Sequence, residues 1–343
     1  MNPSFWSGKK VFITGHTGFK GSWLCLWLQS LGAEVCGLAL PPPTKPSLFT
    51  DAKVSSGIRN EILDICNFDA VDFVFQSFRP EIVIHMAAQP LVRFSYQEPI
   101  KTYATNVMGT VHILEASRRA KSVKSILNVT TDKCYDNREW VWGYREDERM
   151  GGHDPYSSSK GCSELISSAY RRSFLETEGI GLATARAGNV IGGGDWADDR
   201  IVPDCIRAWS LGELVMVRSP QATRPWQHVL EPICGYIMLA EKLYEDGAAY
   251  TGAWNFGPDE QGARTVQWIV DFMVQAWGAG ARWQIDTRTH PHEANYLKLD
   301  NSKAKAIIGW QPRCNLTTAL TNIVEWHQYW LSKKPMQAKC LQQ

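Results

Sequence analysis

A chain of 343 residues is long enough for one large domain or two closely joined ones with a substantial buried core. Its 44% hydrophobic and 21% charged content is ordinary for a soluble globular protein, and a net charge of +1 leaves no global field for nucleic acid or membrane. Nine cysteines without a C-x-x-C pair or a Cys/His cluster fit free thiols in a reducing compartment, and no apolar run approaches membrane length, so a cytoplasmic protein without a metal centre is expected. Met1 to Gly8 also lacks a basic-then-apolar signal pattern.

The first half alternates strand and helix in the manner of a parallel sheet with crossover helices. Lys10–Thr14 (KVFIT) predicts a β-branched strand, followed by the run Gly15-His16-Thr17-Gly18-Phe19-Lys20-Gly21 and a helix from about Phe19 to Leu31. Gly32 suits the end of that helix, and Glu34 to Leu40 predicts a second strand that Pro41-Pro42-Pro43 cannot continue. Further strands are expected at 82–86, 125–130 and 181–186, and helices at 68–78, 103–119 and 156–177. Asp154 is a suitable cap for the last of these, with Pro155 at its first position. After Asn189 the rhythm breaks into glycines, prolines, tryptophans and arginines. That stretch reads as a smaller lobe over the carboxyl edge of the sheet, and the tail after Lys333 as loosely ordered. The division expected is residues 1–188, residues 189–333 and a tail, 334–343.

Three runs carry chemistry. In the first, Gly15 permits a tight turn, Gly18 lets backbone approach a pyrophosphate, and Gly21 lets the helix pack close to the sheet. The helix N-terminus then turns its partial positive charge toward the phosphates. In Tyr156-Ser157-Ser158-Ser159-Lys160, a phenol and an ammonium four residues apart share one helix face. A tyrosine acting as base near neutrality must fall well below its ordinary value of about 10, and Lys160 with a cationic nicotinamide supplies the positive charge that favours phenolate. In Thr130-Thr131-Asp132-Lys133, an acid and a lysine follow an apolar strand end. An acid-base pair beside an oxidising site suggests chemistry beyond oxidation.

The G-x-x-G-x-x-G spacing and the Tyr156/Lys160 pair resemble the extended short-chain dehydrogenase/reductases, which implies an α/β fold: a Rossmann-type doubly wound parallel sheet with a smaller C-terminal substrate-binding lobe. By that resemblance Gly15, Thr17, Gly18, Phe19, Lys20 and Gly21 hold the dinucleotide. Asp64 and Ile65 lie at the adenine, Ala87 and Ala88 line its groove, and Asn106 orders the site, with Tyr156 and Lys160 at the nicotinamide end. His85 reads as structural. The acid that would hold the ribose hydroxyls at the second strand end is missing, since Leu38, Ala39 and Leu40 stand there. NAD is favoured, and Lys20 leaves NADP open.

From about Gly8 to Trp330 the chain resembles the sugar-nucleotide 4,6-dehydratases, which usually carry Thr-Asp-Glu where this chain has Thr131-Asp132-Lys133. The Asp-Lys pair is similar to the CDP-glucose branch. That resemblance implies NAD-dependent oxidation at C4 of CDP-glucose, loss of water across C5–C6 and hydride return to C6, in deoxysugar synthesis. It implies that Thr131 bonds the reacting hydroxyl, Tyr156 and Lys160 drive oxidation, and Asp132 protonates the C6 leaving group. Lys133 is then either the C5 base, when neutral, or a charged clamp on the enolate oxygen. Asn189, Arg200 and Arg224, with His292 and Tyr296 more distantly, match substrate-binding positions, and an arginine fork suits a diphosphate. An inverting dehydratase of a UDP-N-acetylhexosamine and a non-catalytic dinucleotide sensor are the alternatives, the second disfavoured by an intact Tyr156 and Lys160. A homodimer or homotetramer is the superfamily habit.

Overall fold

The β-branched runs pair side by side into one seven-stranded parallel sheet in a computed structural model that describes residues 2–259, 262–278, 280–288 and 296–343. Its strands are β1 (Lys10–Thr14), β2 (Glu34–Ala39), β3 (Arg59–Ile62), β4 (Ile82–His85), β5 (Ser125–Val129), β6 (Gly181–Arg186) and an edge strand, Gly252–Asn255. Their order is Gly252–Asn255, β6, β5, β4, β1, β2, β3. The order therefore reverses between β1 and β4, and open sheets of this kind place ligands in the crevice beyond the carboxyl ends at that point.

Alternation along β1 feeds two apolar layers. Val11 and Ile13 join Trp23, Leu24 and Leu28 of the helix Phe19–Ser30, whereas Phe12 joins Phe75, Val83 and Ile126 on the opposite face. Both layers are dry, which explains why the inner strands read as continuous apolar runs. The helix after β1 stops where expected, with Gly32 at φ +80° turning the chain toward β2.

Several elements differ from the sequence reading. The segment expected as one helix over 103–119 is Pro99–Tyr103, a wide π turn at Ala104–Met108, and Gly109–Ala120. The helix expected over 156–177 is Pro155–Tyr170 followed by a second π turn, Arg171–Leu175. β3 and Gly252–Asn255 have no counterpart in the expected strands. The tail is not loose: Met336–Leu341 is a helix that buries Met336 and Cys340, with the Trp326 indole N–H directed at Cys340 Sγ, 3.3 Å away.

Beyond Asn189 the chain both returns to the sheet and rises above it. The helix Leu230–Glu245 contributes Tyr236, Ile237 and Ala240 to the sheet's apolar layer, and Gly252–Asn255 pairs with β6. Among the described residues, three short strand pairs, Val190–Ile191 with Gln227–His228, Thr223–Pro225 with Ala263–Thr265, and Val215–Val217 with Trp283–Ile285, lie outside the main sheet.

Candidate active site

A cleft of about 740 Å³ opens at the carboxyl ends of the strands, and Lys20, Thr131, Asp132, Tyr156, Asn189 and Arg224 are among the residues that line it. Its centre is built on the exit from β5. There Thr131 caps a single 3-10 turn, Asp132–Cys134, its hydroxyl accepting from the Lys133 backbone N–H at 3.3 Å and donating to Asp132 Oδ1 at 3.0 Å. Asp132 is only 1% exposed, and its Oδ2 has no hydrogen-bond partner among the described residues. That oxygen packs onto Gly188, where an added Cβ would stand 1.8 Å away. Lys133 reaches back over the same carboxylate, its Nζ 3.7 Å from Oδ1, with its side chain 36% exposed.

Opposite stands the helix Pro155–Tyr170. Asp154 caps it, accepting from the Ser157 N–H at 2.9 Å, and Pro155 occupies its first turn, as the sequence predicts. Tyr156 and Lys160 are both buried on its inner face. Burial pushes the Tyr156 phenol up to about 12; Thr131 and Arg200 pull it down, and Asp132 and Asp154 push it higher. The fall expected for Tyr156 belongs to the site with a cationic nicotinamide beside the phenol. In the free chain burial outweighs Thr131 and Arg200, and Lys160 Nζ donates to the Val129 carbonyl at 3.3 Å. Lys160 is itself lowered to about 8, by burial first, with Glu164 and then the Cys134 thiol opposing.

The glycine turn has the shape a diphosphate requires. Gly15 sits at φ +78°, where a Cβ would meet the Ala87 backbone N at 2.8 Å, and a Cβ on Gly21 would lie 2.1 Å from the Gly15 carbonyl oxygen. Only glycines allow this approach of helix, turn and β4 exit. Thr17 donates to the Leu40 carbonyl at 2.8 Å, which secures the turn against the end of β2. Lys20 extends into the reaction cleft, where burial lowers its ammonium to about 8, Lys160 and Arg200 lower it further, and Asp132 and Asp195 oppose.

This arrangement can be compared with known proteins. The family model described as GDP-mannose 4,6 dehydratase matches residues 12–323. The chain belongs to that family. A CDP-glucose 4,6-dehydratase of Salmonella typhimurium is 55% identical over 341 residues, covering 98% of this chain and 95% of that protein. A probable dTDP-glucose 4,6-dehydratase of Sinorhizobium fredii is 25% identical, covering 93% and 92%. A UDP-glucose 4-epimerase from Thermotoga maritima, solved with UDP-glucose, has a TM-score of 0.80 at 22% identity, covering 94% of this chain and 99% of that one. A dTDP-glucose 4,6-dehydratase from Bacillus anthracis, solved in complex with NAD, has a TM-score of 0.78 at 20% identity, covering 94% and 97%. These two share the fold.

Within this family frame, the sequence-predicted residues fall into three groups. Thr131, Asp132, Lys133 and Tyr156 line the cleft together with Phe19, Lys20, Asn189, Arg200 and Arg224. Asn189, at φ +44°, has a buried Nδ2 without a hydrogen-bond partner among the described residues. Arg200 is held by a 2.9 Å ion pair to buried Asp195, and Arg224 Nη1 donates to the Thr223 carbonyl at 3.1 Å. A second group organises the backbone. Both Asn106 amide hydrogens are used, on the Gln89 carbonyl at 3.1 Å and Ser159 Oγ at 2.8 Å, so this residue ties the β4 exit to the Tyr156 helix. His85 bridges Thr14 at 2.7 Å and Thr110 at 3.3 Å, a structural histidine as expected. Asp64 is exposed and accepts from the Cys66 N–H at 2.9 Å, while Ile65 is buried under Gly109. Ala87 and Ala88 are half-buried beside the glycine turn.

Two predicted residues remain. Tyr296 is half-buried and its carbonyl accepts from Asn137 at 3.0 Å, and His292 lies outside the described residues. Sequence reasoning missed Asp195 and Gly188, the first behind a triple-glycine run and the second directly before Asn189. All nine cysteines are free, five of them buried. No group of His, Cys, Asp or Glu among the described residues could hold a metal.

Proposed function

We propose that the protein is a hydro-lyase that converts CDP-D-glucose to CDP-4-keto-6-deoxy-D-glucose with NAD, in deoxysugar synthesis. The observation that carries this is the meeting, in one cleft, of the Tyr156 phenol and Thr131 with a buried acid, Asp132, and Lys133. The near full-length match to a CDP-glucose 4,6-dehydratase supports the nucleotide and the elimination. The residues present fit a dinucleotide, because Gly15 and Gly21 let turn, helix and β4 exit pack backbone against backbone, the close approach that a pyrophosphate-binding turn needs. Lys20 faces the reaction cleft rather than the end of β2, which supports NAD over NADP. In this reading residues 1–188 carry cofactor and catalysis, and 189–333 mainly bind the sugar nucleotide.

Bound NAD supplies the hydride acceptor for C4 and the donor for C6. Tyr156 takes the proton of the C4 hydroxyl, and Thr131 hydrogen-bonds that oxygen. The resulting ketone acidifies C5–H, Lys133 in its neutral form removes that proton, Asp132 protonates the C6 hydroxyl as it leaves as water, and Lys133 returns a proton to C5 once C6 is reduced. Asn189, Arg200 and Arg224 hold the diphosphate. A homodimer or homotetramer fits the exposed apolar side chains Ile100, Met108 and Leu165, and the reading places the protein in the cytoplasm. No described helix is long and apolar enough to cross a membrane.

The test is an isotope experiment. With catalytic NAD, deuterium placed at C4 of CDP-glucose should appear at C6 of the product. Release of the label as free reduced cofactor would identify an ordinary dehydrogenase instead.

A further inference from the structure

Behind the cleft lies a buried ion pair, neither member of which lines it, although two of its partners, Thr130 and Tyr135, do. Glu164 stands one helical turn beyond Lys160, Arg186 ends β6, and their side chains are 5% and 3% exposed. Glu164 Oε1 accepts from the Thr130 hydroxyl and from Arg186 Nε, the latter at 2.9 Å. Its Oε2 accepts from the Thr184 hydroxyl at 2.7 Å and Arg186 Nη2 at 2.9 Å. Arg186 Nη1 donates onward to the Tyr135 hydroxyl at 2.6 Å and the Glu146 carbonyl at 3.0 Å. The Tyr135 hydroxyl in turn donates to Asn255 Oδ1 at 2.8 Å, on the edge strand.

The placement is specific. Thr130 immediately precedes the Thr131–Asp132–Lys133 tripeptide, and Tyr135 follows it after a single intervening residue, Cys134. The turn between them is weakly self-supported: its two backbone hydrogen bonds, Cys134 N–H to Thr131 O and Tyr135 N–H to Asp132 O, span 3.4 and 3.5 Å. Burying a charge pair is expensive in desolvation and is poor evidence of a stabilising role by itself. We propose that Glu164 and Arg186 are positioning residues that grip the catalytic turn at both flanks and register it against the Tyr156 helix.

Electrostatics add to this. Burial alone would raise the Glu164 carboxyl, but Arg186 and the two threonine hydroxyls hold it below its ordinary value, so it is a carboxylate. That carboxylate is the largest influence opposing the burial of Lys160. Lys160 also faces the Cys134 thiol on the turn, Lys20 on the glycine-turn helix and His85 at the end of β4. Glu164 therefore serves the same site twice, through the turn and through the ammonium.

The kinetic part of the test rests on the dehydratase reading; the exchange part does not. Thr130→Val and Tyr135→Phe each remove one flank contact with little change in shape. In the cofactor-free protein, amide hydrogen exchange over 131–135 should accelerate about tenfold in either variant while distant strands keep their protection. With CDP-glucose and NAD, kcat should fall about tenfold or more, with KM within about twofold. Glu164→Gln should move the alkaline limb of the kcat profile, where Lys160 loses its proton, to lower pH by about one unit or more. Unchanged local exchange in both flank variants overturns the inference, whether or not Glu164→Gln folds. If wild-type protein fails to turn over CDP-glucose, the substrate reading fails and exchange alone decides the positioning role.

Discussion

Gly188→Ala isolates Asp132, the acid proposed above for the elimination step, without touching its chemistry. A methyl group at residue 188 would stand 1.8 Å from Asp132 Oδ2 and 2.4 Å from its Cγ. The nearer distance is about 1.7 Å inside an ordinary contact of ~3.5 Å, and neither group has room to yield, since Asp132 is 1% exposed. The backbone itself tolerates alanine, because Gly188 is not among the positive-φ residues. The carboxyl must therefore swing away, breaking its 3.0 Å bond from Thr131 and its 3.7 Å approach to Lys133. A misplacement of about 1 Å typically costs on the order of 10²-fold, or ~2.7 kcal/mol, in the step that needs the group. Elimination should slow by that factor and oxidation by much less. Single-turnover mixing with CDP-glucose and NAD reads both: reduced-nicotinamide absorbance should rise and persist, with a 4-keto-hexose nucleotide accumulating. In an Asp132→Asn background the same substitution should add little, since both act on one group. Product formation at the wild-type rate, or an equal loss of oxidation and elimination, would refute the reasoning.

Tyr156→Phe should abolish oxidation while leaving the dissociation constant of CDP-glucose nearly unchanged, which calorimetry can show; near-normal turnover would sink the assignment. Because burial holds the Tyr156 phenol at about 12, the cofactor-free protein should show no Tyr156 phenolate absorbance below about pH 10, judged against the Tyr156→Phe variant. Arg224→Ala should mainly weaken substrate binding, by ~1.5–3 kcal/mol or about 10- to 150-fold, with kcat little altered. Lys133→Met should eliminate solvent deuterium exchange at C5 while hydride transfer from C4 survives; retention of that exchange assigns proton removal to another group, and a parallel loss of oxidation marks Lys133 as a charged clamp.

What the sequence discloses here follows from how local each feature is. Strands β1, β4 and β5 are short β-branched runs buried on both faces, so composition alone marks them. Asp154-Pro155 and Gly32 are caps whose chemistry lies within a turn of the residue itself. β3 is a polar edge strand whose burial alternates, and Gly252–Asn255 forms only by pairing with β6, so neither stands out from its neighbours. The tail helix likewise exists because Met336 and Cys340 find the first core layer, a tertiary reason. The catalytic side chains were legible as residue types at a spacing, but their charge states were not. Tyr156 and Lys160 share a helix face, which spacing discloses; that one is driven up and the other down follows from burial, which Arg200 from the second half of the chain opposes at Tyr156 and Glu164 opposes at Lys160. Glu164 in turn owes its charge to Arg186, 22 residues away at the end of another strand. A motif therefore names the groups of this site, whereas the fold decides which of them holds a proton, and at pH 7 the free chain holds Tyr156 as a phenol that must acquire positive charge from its ligands before it can act as a base.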